Sequence, residues 1–340
     1  MSNQTEILEE FTVVLWSQLL QEALKEESRW ALIVFITSMF IIFIVSIIGN
    51  LLSCIVIYYD RTMHTATNYY LLNLAVSDLI VTFAILLEIH EHLSDAYTFG
   101  SLACKIHFFL IVLLWNSSIL TMTALAIERY IAIWHPLVLK STPVWRRVMK
   151  ILVLIWVMAI AASLPEVWTV CLVKTQKSSV CFIVPTKFAR ILNGVLALVM
   201  FVLPLGIMMF VYGMIAVKVS LMEKTTKRNK IFNHRDNRSK VNKLIVALTL
   251  SFVVCWLPFF SLRVLFFVCN IRQLMRLPQW VGAVYKVVSF NSWFGVVLNP
   301  VLFSLKSTKF RKALKALWAA KFKKKHQQLP KSTTVISAGY

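Results

Sequence analysis

The chain has 340 residues, 59% of them apolar and only 15% charged, with a formal charge of +21 and a mean hydropathy of +0.73. A soluble domain carries about 25% charge, so this balance excludes a soluble globular enzyme and a disordered chain. Six cysteines in this length do not make a disulfide scaffold, and so basic yet greasy a chain points to membrane loops rather than to nucleic acid.

Residues 1–29 form a polar tail with acids at Glu6, Glu9, Glu10, Glu22, Glu26 and Glu27, and with Asn3-Gln4-Thr5, a glycosylation acceptor triplet. No basic stretch precedes the first apolar run, so no cleaved signal peptide is expected and the first span serves as the membrane signal. A bilayer-crossing helix needs about 20 apolar residues. Segments bounded by charged residues meet this at 30–59, 62–87, 106–127, 151–165, 191–217, 244–262 and 287–305, which predicts an all-α membrane protein with seven spans over 30–305. The fourth is short. Either it is re-entrant, or it runs past Glu166 to Cys171 with the glutamate at the water interface.

Loop charge supports seven crossings. Segments 59–66, 135–150, 218–243 and 306–340 fall on one side and hold 24 of the 36 basic residues, which makes that side cytoplasmic and the N-terminus external. After the last span, 306–320 carries Phe310, Ala313, Leu314 and Leu317 on one face and Lys309, Arg311, Lys312 and Lys315 elsewhere. That pattern predicts an amphipathic helix on the inner leaflet. Residues 321–340 read as a disordered tail whose Ser332, Thr333, Thr334 and Ser337 are phosphorylation sites for arrestin docking or simply a short Ser/Thr tail.

Polar groups inside spans are costly and mark function. Asn50, Asp78 and Asn299 lie within spans, and Pro165, Pro204, Pro258 and Pro300 interrupt the last four. Either these groups satisfy one another in a static bundle, or the kinked helices hold two arrangements.

Gly49-Asn50, Leu74-Ala75-Val76-Ser77-Asp78, Glu128-Arg129-Tyr130, Trp156, Cys255-Trp256-Leu257-Pro258 and Asn299-Pro300 fall on successive spans. In this order and spacing they resemble the signatures of rhodopsin-like G-protein-coupled receptors over residues 31–320. The resemblance implies a disulfide from Cys104 to Cys181. It makes Arg129 the inner-end arginine that meets the G protein, with Glu128 as its counter-ion beside Tyr130, and it makes Leu137, after Pro136, the loop residue that inserts into that partner. Trp256 and Phe252 become the aromatic switch above Pro258, while Pro204, Ile119 and Phe252 become the core trio. Tyr212 becomes the tyrosine that swings inward. Asp78, Ser118 and Asn299 match part of a sodium site, but Gly295 and Val296 replace polar residues that complete it. Phe303 stands where the family carries tyrosine and cannot hydrogen-bond, which implies a shifted resting equilibrium.

Ile111 occupies the position where amine receptors carry an aspartate, and no lysine lies between Lys286 and Lys306 to hold retinal, so amine and light are poor stimuli. Glu88 lies ten residues beyond Asp78, about 15 Å outward along a helix. Arg263 lies two turns above Trp256. Phe259, Phe260 and Trp293 are expected pocket walls, with His107 at the rim. Glu88 and Arg263 either meet a ligand or pair with each other. Leu87-Glu88-Ile89-His90-Glu91, Tyr97-Thr98-Phe99-Gly100 and the sixth-span arginine look like receptors of the neuromedin U/pyrokinin group. Val112 replaces an acidic residue that group often carries on the third span. The resemblance implies an extracellular peptide whose arginine meets Glu88 and whose amidated end or backbone meets Arg263. Heterotrimeric G proteins would be its partners, with no cofactor, at the plasma membrane. A receptor for a small non-amine ligand is the alternative. A secondary transporter would show internal repeats, which are not visible, and no acid–base or metal constellation suggests an enzyme.

Overall fold

The computed structural model describes residues 29–327 except 95, 139–142, 175–178, 185, 227–234 and 269–279. Asn3 and the acidic tail therefore lie outside the described residues, as do Ser332, Thr333, Thr334 and Ser337.

The first span is α1, Arg29–Tyr59. Asp60 accepts from the Thr62 N–H at 2.8 Å and starts a 3₁₀ turn, Arg61–Met63. Thr65 caps α2, Ala66–Thr82, by accepting from the Asn68 N–H, and Asn68 in turn ties down the Met63 carbonyl at 2.7 Å. A turn at Phe83 separates α2 from α3, Ala84–Ser94, so the second span is bent without any proline. The third span, α4, runs Gly100–Trp134 and exceeds the expected 106–127 at both ends. Lys105 and Glu128, read as boundaries, lie inside it, because a charge near an interface does not stop a helix.

The fourth span is α5, Val144–Ser163, continued by a 3₁₀ segment, Leu164–Thr169. It does pass Glu166, but ends at Thr169, where β1 (Val170–Lys174) begins. β1 pairs antiparallel with β2 (Ser179–Ile183), with Leu172 opposite Cys181. The fifth span is α6 (Lys187–Ala197), a π-turn (Leu198–Val202) and α7 (Leu203–Thr226). Pro204 has no N–H to give. The helical ladder slips one residue at this point, and Leu203 donates to the Leu198 carbonyl. The sixth span lies within α8, Arg235–Val268, which passes through Pro258 unbroken. The seventh is α9 (Trp280–Trp293) and α10 (Gly295–Lys306), broken at Phe294 and not at Pro300. The last helix, α11, spans Thr308–Gln327 and so extends past the expected 320.

Among the described residues, six helical segments are long and apolar enough to cross a membrane, and Thr249–Leu265 is a shorter apolar segment within α8. Apolar residues of the first, fourth and fifth spans face outward in number, among them Ile41, Val153, Leu154, Met209 and Phe210. The interior is layered. One cluster joins Leu74, Met122, Met208, Ile215 and Phe303 to Phe310 and Ala313 of α11. A second joins Ile42, Ile85, Ile111, Leu114, Trp293 and Val296. The apolar face of α11 thus docks on the bundle, with Phe310 4.6 Å from Phe303, and Trp318 is left exposed. Phe310, Ala313, Leu314 and Leu317, the face read as apolar in the sequence, are the residues that pack against the bundle.

Candidate functional site

We call the hairpin end of the bundle outer and the opposite end inner. The hairpin is held to the top of the third span by the Cys104–Cys181 disulfide, with Cα atoms 5.7 Å apart. Tyr97 reinforces it by donating its N–H to the Ser179 carbonyl at 2.7 Å. Burial, with Glu91 nearby, pushes the Tyr97 phenol above its ordinary range.

In the middle of the bundle each proline frees one carbonyl, because it cannot donate to the residue four back. For Pro258 that is Val254. Asn291 of the seventh span donates to the carbonyls of Val254 and Cys255, both at 3.0 Å. For Pro300 it is Val296, and Asn50 of the first span donates to it at 2.9 Å. Pro300 lies so close to the first span that a Cβ on Gly49 would fall 2.9 Å from its ring. Thus Asn50, whose role the sequence left open, bridges the first and seventh spans.

Asn299 donates to Asp78 at 3.0 Å. Both line a cavity of about 20 Å³, together with Ser118, Trp256, Gly295 and Val296. One Asp78 oxygen is engaged by the Asn299 amide N–H, Ser118 and Ser251 add hydroxyls to the wall, and Gly295 and Val296 supply no side-chain oxygen. Gly295 has another use: a Cβ there would lie 3.2 Å from the Trp256 indole nitrogen.

Trp256 is buried, with Trp115 edge-on at 4.5 Å. Trp115 also meets Phe259 at 5.0 Å, and Phe260 stacks on Phe201 at 4.1 Å. Ile119 packs in the same cluster, and Pro204 is buried. Phe252 sits on the sixth helix, but its side chain lies outside the described residues. Trp115 and Asn291 were missed by sequence reading, although a polar or aromatic side chain in mid-span was the available signal.

At the inner end Glu128 does not hold Arg129. Its carboxylate, 3% exposed, accepts from Arg147 of the fourth span at 2.6 Å. The Arg129 Nε has no hydrogen-bond partner among the described residues. The expected Glu128–Arg129 ion pair is not formed, because the fourth span brings the Arg147 guanidinium directly to Glu128. Tyr130 packs at the inner cluster. Tyr212 shares a 2.7 Å hydrogen bond with Thr249 of the sixth span. Phe303 is buried, while Pro136 and Leu137 are exposed, Leu137 at 77%.

At the outer end Glu166 is not at a water interface. It is 1% exposed and accepts from Arg263 at 2.8 Å, and the same Arg263 nitrogen also reaches Asn193 Oδ1. The Glu88–Arg263 pairing is therefore replaced by Glu166–Arg263. Glu88 is half-buried, and its backbone carbonyl meets His92 at 2.9 Å. Of the two ion pairs formed between described residues, Glu88 takes part in neither. His107 is half-buried and stacks near Tyr97 at 6.2 Å. Ile111 and Trp293 are buried in the second cluster, and Phe260 lies in the aromatic stack with Phe259 packed against it.

Residues 49–303 match the model of the 7 transmembrane receptor (rhodopsin family). The human neuromedin-U receptor 1 is 31% identical over 80% of this chain and 70% of its own length. The mouse neuromedin-U receptor 2 is 31% identical over 85% of this chain and 76% of its own. The Drosophila melanogaster pyrokinin-1 receptor is 27% identical over 82% and 77%.

Proposed function

From a chain that belongs to the rhodopsin family of seven-transmembrane receptors, in the neuromedin-U receptor group, we propose a receptor for an extracellular neuropeptide containing arginine and ending in an amide. The chain is a G-protein-coupled receptor of the neuropeptide-receptor type, a multi-pass plasma-membrane protein and not an enzyme. The proposed topology puts tail 1–29 outside, the bundle 30–305 in the bilayer, and 306–320 and 321–340 at and beyond the inner leaflet.

Glu88 carries the ligand reading. It is a half-buried carboxylate in the outer half of the second span that takes part in neither ion pair, with Glu91 one turn on. A guanidinium makes a bidentate, charge-assisted pair with such a group. Ligand contacts favour an arrangement in which the sixth span pivots at Pro258, because a ligand shifts an equilibrium by its differential affinity for the two states. Opening the inner end breaks the Tyr212–Thr249 bond and exposes Arg129 to a heterotrimeric G protein, with Pro136 and Leu137 as the loop contact. Arrestin docking at the phosphorylated tail belongs to the same proposal. Glu88→Gln should reduce the potency of an arginine-containing peptide agonist at least a hundredfold in a calcium or cAMP assay at matched surface expression. Unaltered potency rejects Glu88 as the acceptor.

A further inference from the structure

Two buried charges and an amide join three spans at the outer end. Glu166 comes from the fourth, Asn193 from the fifth and Arg263 from the sixth. Each is fixed locally. Thr169 donates its hydroxyl to the Glu166 carbonyl at 2.7 Å, and Asn193 donates its amide to the Ala189 carbonyl at 2.8 Å, which turns its Oδ1 toward Arg263. The guanidinium carbon lies 5.9 Å over the Phe260 ring. The Arg263 side chain is 11% exposed, and its Nε is buried with no hydrogen-bond partner among the described residues. Val112 of the third span is buried and apolar.

We propose that Glu166 is a specificity-determining residue. From the fourth span it neutralises Arg263, so that the sixth-span end of the pocket takes an uncharged peptide terminus and rejects a free carboxylate. With its charge matched, Arg263 keeps an N–H donor for a neutral carbonyl oxygen. An incoming carboxylate would have to share that guanidinium with Glu166 at close range, where like charges repel strongly in a low-dielectric site. Glu88 and Glu91 of the second span are the carboxyl groups at this end that take no part in that ion pair. The preferred ligand is cationic in its arginine and neutral at its end. Glu166 acts through Arg263, so it is a positioning residue for the ligand rather than a contact.

This inference rests on the peptide reading above, and its test has two arms on the full-length receptor. In the first, one arginine-containing peptide is made as the carboxamide and as the free acid, and the potency ratio is measured in cells. Wild type should favour the amide. Glu166→Gln should shrink the ratio at least tenfold by raising free-acid potency, and the charge-keeping Glu166→Asp should retain it. Equal loss of both peptides in Glu166→Gln, or an unmoved ratio, overturns the selectivity role. The second arm needs no ligand. Purified Glu166→Gln, Arg263→Gln and the double variant are melted in nanodiscs, and the double should melt no lower than the weaker single. Independent, additive losses overturn the pair. Silence of the wild type toward every peptide, with the pair coupled in the melts, removes the ligand class and its selectivity while leaving the triad as a strut.

Discussion

At the outer end, a carboxylate at 1% exposure holds a guanidinium from two spans further along the chain, and an amide from the span between them joins it. At the inner end, a carboxylate at 3% exposure holds a guanidinium from the adjacent span, 17% exposed. The outer group ties the fourth, fifth and sixth spans together. The inner pair ties the third and fourth, and among the described side chains Tyr212 of the fifth span meets Thr249 of the sixth. A single neutral hydrogen bond contributes about 1 kcal/mol net, whereas breaking a buried ion pair costs about 3–5 kcal/mol. Among the described side chains, the sixth span is therefore joined to its neighbours by a buried ion pair at its outer end and by a neutral hydrogen bond at Thr249.

The comparison is tested hardest at Arg147. Arg147→Ala leaves Glu128 buried without its partner and should destabilise the receptor by about 3 kcal/mol, read as a lowered melting temperature in nanodiscs. It also frees Glu128 to turn to Arg129, so basal nucleotide exchange on an added G protein should fall severalfold. Raised basal exchange would mean that Glu128 does not restrain Arg129 even when free.

A smaller effect is expected at the joints. Asn291→Leu strips the donor from the Val254 and Cys255 carbonyls beside Pro258 and should cost about 1–3 kcal/mol. An unchanged melt would show that the proline joint is satisfied in some other way. An effect of similar size separates two glycines. Gly49→Ala drives a methyl into the Pro300 ring, whereas Gly206 has open space around it. Gly49→Ala should lose about 1–3 kcal/mol, and Gly206→Ala should stay within about 0.5 kcal/mol of wild type. Equal melts would mean that the first and seventh spans are looser at Pro300 than the structure has them.

The polar centre was legible where chemistry and depth sufficed. Asp78 and Asn299 were both recognised as intramembrane polar groups, and they do meet. Asn50 was recognised without its partner. That partner is a carbonyl, Val296, whose exposure depends on Pro300 and on the first and seventh spans lying side by side. Glu166 was misplaced because distance along the chain put it at an interface, while three helices closing around it put it in the interior. The seventh-span break at Phe294 carries no proline and left no mark in the sequence.

Apolar run lengths and loop charge determined a bundle of seven spans, because bilayer thickness and the cost of unpaired backbone polar groups leave few other solutions, and the six spaced motifs gave the receptor family by resemblance. Which charge meets which was decided only by tertiary structure. Glu88 and Arg263 sit at depths that would allow a pair, and Glu128 and Arg129 are neighbours in sequence, yet neither couple forms as one of the ion pairs. Pairing follows the lateral packing and rotation of whole helices, and those are set by side chains far from the charges themselves.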